Sequence, residues 1–135
     1  MISRSFHLAL QCATGFIVVA ASVAAEPAPS PQLAEILGKI DLHAAAKADV
    51  LGKRLAQLPA SDIATLCDML VEPGAGDDTK PRMALEGLAW YTGSHGTPAQ
   101  RTAYINALIS ALAKDRTPGV TAFLIRQLQL VGDES

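Results

Sequence analysis

A thiol beside an imidazole is the smallest nucleophile–base pair a protein can assemble, and Cys67 with either His43 or His95 could supply one. The surroundings of Cys67 point elsewhere. It falls between Leu66 and Leu70 on an apolar stripe of helical period, which predicts a small core residue and not a reactive thiolate. His43 precedes an alanine run and reads as the start of a helix. His95 stands in Thr92-Gly-Ser-His-Gly-Thr97, read as an interhelical loop. No set of His, Cys or acidic residues has zinc-site spacing, and Cys-x-x-Cys-His is absent.

Other candidates thin out in the same way. Gly74-Ala-Gly-Asp-Asp78 sets oxygen ligands beside glycines but lacks the spaced third acid and final glutamate of an EF-hand, so a solvated turn is expected. Gly93-Ser-His-Gly96 could cradle an anion ahead of the following helix, on the strength of one short loop. Asp62, Asp68, Glu72 and Glu86 fall where a helix presents residues to water, so no acid–base pair stands out. Trp90, beside Tyr91, lies off the main apolar stripe. It is the candidate protein-binding residue, with packing between structural units as the competing reading. No catalytic residue, cofactor or metal site is expected.

The elements that would position these residues begin after an export signal. Met1-Ile-Ser-Arg4 is a short basic head, Leu8 to Ala24 is mostly apolar, and Val23-Ala24-Ala25 has the small residues of a cleavage site, so 1–25 reads as a signal peptide. Gln11, Thr14 and Gly15 break the apolar run, leaving about eleven strongly hydrophobic residues where a spanning helix wants about twenty. A retained anchor is therefore not expected. Cleavage leaves one domain of about 110 residues by length, located in the periplasm or outside the cell. Without Arg4, the 11 basic and 13 acidic residues of the chain leave a net charge near −3, scattered, which excludes a nucleic-acid partner. Cys67 alone survives cleavage, so no internal disulfide forms and stability must come from packing.

Glu26-Pro-Ala-Pro-Ser-Pro31 predicts an extended spacer over 26–31. Beyond it the expected fold is all-α, of about six helices. Pro59 and Pro73 follow apolar runs, and Pro81, Pro98 and Pro118 fall in first turns, where a missing N–H is harmless. Thr97-Pro98-Ala99-Gln100 spells a capping box, and Thr117-Pro118 repeats half of it. Gly93 and Gly132 are placed to close helices in the left-handed conformation. The predicted buried stripes are Leu33, Ile36, Leu37, Ile40; Ala44, Ala48, Leu51, Leu55, Leu58; Ile63, Leu66, Cys67, Leu70; Ala84, Leu85, Leu88, Tyr91; Ile105, Leu108, Ile109, Leu112; and Val120, Leu124, Leu128, Val131.

Two of these helical hairpins match each other. The run from Ile63 lies over the run from Ile105, and Leu85 to Gly93 over Leu124 to Gly132, each at an offset of about forty residues. With Asp77-Asp78 in the turn and Arg82 early in the next helix, residues 61–132 resemble the HEAT-repeat family. The resemblance implies an α-solenoid over 32–135 with units near 32–58, 61–93 and 98–132, and Arg82 as the arginine that ties repeat to repeat. The second unit keeps Asp115 but has Val120 or Thr121 at the arginine's place. The family also implies a non-enzymatic scaffold with an unidentified protein partner, and signal cleavage implies no membrane contact afterwards. The alternatives are a non-catalytic domain of a larger secreted enzyme or redox protein and a closed ligand-binding bundle. Because the sixth helix has no next neighbour, a shortened array is the first expectation and self-association through that open face the second.

Overall fold

The computed structural model describes residues 28–42 and 48–132. The expected signal peptide, the beginning of the spacer, His43 with Ala44 to Ala46, and the residues after Gly132 lie outside the described residues. The fold is all-α: α1 (Pro31–Gly38), α2 (Ala48–Leu55), α3 (Ala60–Asp68), α4 (Thr79–Ser94), α5 (Pro98–Leu112) and α6 (Pro118–Val131), with no strand among the described residues.

Helix starts follow local chemistry. The spacer expected through Pro31 stops earlier, because Ser30 caps α1: its Oγ accepts from the Leu33 N–H at 3.1 Å, and Pro31 takes the first helical position. In α5 the capping box forms as spelled, with the Gln100 N–H on Thr97 Oγ1 at 3.2 Å and the Thr97 N–H on Gln100 Oε1 at 3.0 Å. Thr117 holds the same position before α6, but its hydroxyl makes no capping bond.

Helix ends correct the glycine readings. Gly93 lies inside α4, which continues to Ser94, and Gly132 is extended at φ −62°, ψ 134°. Neither is left-handed. Among the described residues only Gly74 has positive φ, at 87°. Gly93 is small for another reason: a Cβ there would stand 3.2 Å from the Leu130 carbonyl oxygen, so its missing side chain lets α6 approach α4.

The helices pack in a regular order. α2 lies on α4 and α4 on α6, α3 lies on α5, and the members of each consecutive pair, α1–α2, α3–α4 and α5–α6, touch. α2 and α4 meet through Gly52 and Gly87. A Cβ on Gly52 would fall 2.3 Å from the Gly87 carbonyl oxygen. The core joins Leu33, Leu55, Leu66, Leu85, Leu108 and Leu124, all fully buried. Tyr104 is buried with them and donates its hydroxyl to the Leu85 carbonyl at 2.9 Å, so its polar end is satisfied within the core.

The α1 and α3 stripes bury as predicted, apart from Ile40, which is half-buried. Elsewhere the register shifts. On α2, Gly52 and Leu55 are buried, Leu51 and Leu58 are half-buried and Ala48 is exposed. α4 is covered by helices on several sides, so Ala89 and Thr92 bury more deeply than Tyr91. On α5 the core face is Tyr104, Ala107, Leu108 and Ala111, which turns Ile109 outward at 53 % exposure. On α6 the face is Val120, Leu124, Gln127 and Val131, so Gln127 is buried where Leu128 was expected, and Leu128 is half-buried.

Candidate functional site

Cys67 is fully buried on α3, and burial pushes its thiol up to about 12, against the opposing pull of Arg116. A thiol in that state is a core residue and not a nucleophile. His95 is exposed beyond α4, with its ring stacked on Tyr91 at 6.3 Å between centroids. The anion cradle expected at 93–96 is already committed: the His95 and Gly96 N–H groups both donate to the Tyr91 carbonyl at 2.8 Å. These bonds close α4 and leave neither N–H for a ligand.

Three of the four carboxylates assigned to water are internal ties. Asp62 is buried and accepts from Ser30 Oγ at 2.7 Å, joining α3 to the cap of α1. Asp68 accepts from Lys114 Nζ at 2.7 Å and from the Arg116 guanidinium, which also donates to the carbonyls of Cys67 at 3.3 Å and Ala111 at 3.1 Å. Glu72 accepts from the Gly119 N–H at 2.9 Å, in the first turn of α6. Only Glu86 is exposed as expected. Packing of α3 against α5 brings the end of one hairpin's first helix to the next hairpin's turn, a contact that helical period alone does not contain.

The acidic turn is likewise spent on structure. The Asp77 carboxylate accepts from the Thr79 N–H at 3.1 Å. Asp78 accepts from the Val71 N–H at 3.0 Å and from Arg82 Nε at 2.9 Å, while Arg82 donates to the Val71 carbonyl at 2.9 Å. Thus the polar bonds of Arg82 stay in its own hairpin, and only its face reaches the next, 4.7 Å from the Phe123 ring centroid. The arginines whose polar bonds do cross between hairpins are Arg101, which donates to the Thr92 and Gly93 carbonyls, and Arg116, next to Asp115 and ahead of the positions where an arginine was sought. Among the described residues no group of three His, Cys, Asp or Glu side chains is placed to hold a metal ion.

Trp90 remains on the surface. It is 57 % exposed, and its Nε1 donates to Asp49 Oδ1 at 2.7 Å, spanning α4 to α2. Packing and exposure therefore coexist in one side chain. Exposed Val50 follows Asp49 on α2, and exposed Leu130 on α6 lies alongside Gly93, one turn from Trp90. Each of the three even-numbered helices thus carries one of the exposed large apolar side chains Val50, Trp90 and Leu130. Val50 also lines a groove of about 330 Å³ between α1, α2 and α4, floored by Ile36, Leu51 and Met83 and rimmed by Lys39 and Arg54. The sequence signal for Val50 and Leu130 was available only as large apolar residues off the buried stripe.

Comparison of the chain with protein-family models, curated proteins and solved structures gives no match. The exposed set of Val50, Trp90 and Leu130 on α2, α4 and α6 is accordingly the functional candidate with the most support from this chain's own residues. Large aromatic and aliphatic side chains held by a rigid helical layer suit recognition of another surface.

Proposed function

We propose that this chain is an exported, HEAT-like helical-repeat protein that serves as a non-enzymatic scaffold for another protein. The observation that carries the reading is Trp90: a tryptophan more than half exposed, fixed across two helices by its bond to Asp49, with exposed Val50 and Leu130 on the two helices that pack on α4. Fixing the indole in the free protein lowers the ordering cost of binding, so the partner gains contact area without immobilising a mobile ring. Hairpins in which α2 meets α4 and α4 meets α6 support the repeat reading. The apolar segment before Ala25 supports export to the periplasm or beyond.

The test is site-specific photocrosslinking in the exporting cell, with the crosslinking residue at position 90 or, as control, at Glu35 on α1. The expected result is one discrete adduct from position 90 and none from position 35. Equal labelling from both sites, or no adduct from either, would overturn the assignment of this face.

A further inference from the structure

α5 and α6 have a second exposed surface, facing away from the rest of the fold. On α5, Gln100 lies about 40° from Tyr104 on the Ala107 side, within the core stripe, and reaches back to the Ala56 carbonyl at 3.3 Å, toward the preceding hairpin. Ile105, Ile109 and Leu112 lie on the other flank, each about 80–140° around the helix from the Tyr104 direction. On α6, Phe123 marks the flank turned to α4 through its contact with Arg82. Ile125 and Leu128 lie on the opposite flank. α5 and α6 form a consecutive hairpin, so both outer flanks point the same way. Ile109 is 53 % exposed and Ile125 45 %, with Ile105, Leu112 and Leu128 half-buried around them.

Among the described residues the centre of this face, at Ile109 and Ile125, carries no charge. α5 contains one charged residue, Arg101, at the inner edge of this flank about 60° from the Tyr104 direction, where it donates to the carbonyls of Thr92 and Gly93 on α4. α6 contains one, Arg126, a turn from Leu130 on the flank toward α4. Exposed Thr102, Asn106, Ala122 and Gln129 border the apolar strip and are neutral. By contrast, the short helices α1 and α2 expose Glu35, Asp49, Lys53 and Arg54. A surface that pairs with itself must oppose its own charges across a two-fold axis, and a charged face suffers repulsion there unless its signs alternate. An apolar face with no charge at its centre meets that requirement.

We propose that the outer face of α5 and α6 is the contact surface of a two-fold dimer, with Ile109 and Ile125 at its centre. Helices of 15 and 14 residues give a face about 22 Å long and about 20 Å wide, on the order of 400 Å² of flat footprint per protomer. That is about half of what a standard interface buries per partner, so the dimer is weak and concentration-dependent. It leaves Val50, Trp90 and Leu130 free, and the two surfaces act independently.

Sedimentation equilibrium of the exported protein, purified after signal cleavage, from about 1 μM to about 1 mM tests the proposal, with parallel runs of Ile109→Asp, Ile125→Asp and Trp90→Ala. Both aspartates replace exposed side chains, and each variant's helical circular dichroism and melt are compared with the parent's at low concentration. The expected result is a monomer–dimer equilibrium in the parent and in Trp90→Ala, with the dissociation constant raised roughly tenfold or more in each folded aspartate variant. A parent that stays monomeric throughout would overturn it. So would a dimer that survives Ile109→Asp and Ile125→Asp, one that is lost in Trp90→Ala, or open-ended growth beyond the dimer.

Discussion

The guanidinium of Arg82 lies 4.7 Å from the ring centroid of Phe123 while its edge is held by Asp78 and the Val71 carbonyl. One side chain therefore fixes a turn through its polar edge and touches α6 through its face. Lysine has the charge but neither the fork nor the plane. Arg82→Lys is expected to cost about 1–3 kcal/mol in urea unfolding. A double-mutant cycle with Phe123→Leu should yield a coupling of about 0.5–1 kcal/mol.

Stability should also report Asp68 and Asp78 through pH. Burial pushes both carboxyls up, but Lys114 and Arg116 at Asp68, and Arg82 with the Val71 N–H at Asp78, more than offset it and hold both below the usual range. A folded-state pKa below the unfolded value gives stability that is present above about pH 4 and lost as pH falls through the lower folded value. Thermal melts should be flat from about pH 7 to about pH 5 and decline below about pH 4. Asp68→Asn and Asp78→Asn should each start lower and flatten the acid limb.

Gly52 and Gly38 make a matched pair. At Gly52 a methyl would collide with backbone atoms of α4, and at Gly38 it would meet nothing within 4 Å. Gly52→Ala should destabilise by about 1–3 kcal/mol, since neither helix can yield without moving the α2–α4 contact. Gly38→Ala should stabilise by a few tenths to about 1 kcal/mol. Denaturant midpoints for the two variants should move in opposite directions.

Gln127 is fully buried on α6, with neither its amide oxygen nor its amide nitrogen partnered among the described residues. Removing an unmet donor and acceptor while keeping the volume relieves a desolvation cost. Gln127→Leu should therefore raise stability by about 1–2 kcal/mol. A fall in the urea midpoint would show instead that ordered water completes the site.

Cys67 should be silent in the folded protein. With its thiol pushed up to about 12 by burial, the thiolate fraction at pH 8 is small and access is closed as well. Iodoacetamide labelling, mapped by mass to the Cys67 peptide, should be slower by about a hundredfold or more in buffer than in denaturing urea.

What the sequence determined by itself was the set of helices and much of the core. Leu33, Leu66, Leu85, Leu108 and Leu124 were legible because helical burial repeats every three or four residues, and Thr97 with Gln100 was legible because a capping box is a local bond between residues three apart. Tertiary structure decided the rest. Asp62, Asp68 and Glu72 resembled solvated residues, since their partners Ser30, Arg116 and Gly119 lie 32 to 48 positions away in the chain. Gly93 resembled a helix-closing residue and Gly52 stood out in no way, yet both are close approaches between helices whose pairing no local spacing encodes. Gln127 and Ile109 exchanged expected environments because a helix's rotation about its axis is set by the neighbours it packs against, and a shift of one residue turns a side chain by about 100°. Trp90 was singled out from sequence as a protein-binding candidate, but only packing placed the Asp49 carboxylate at the Nε1 edge of its indole.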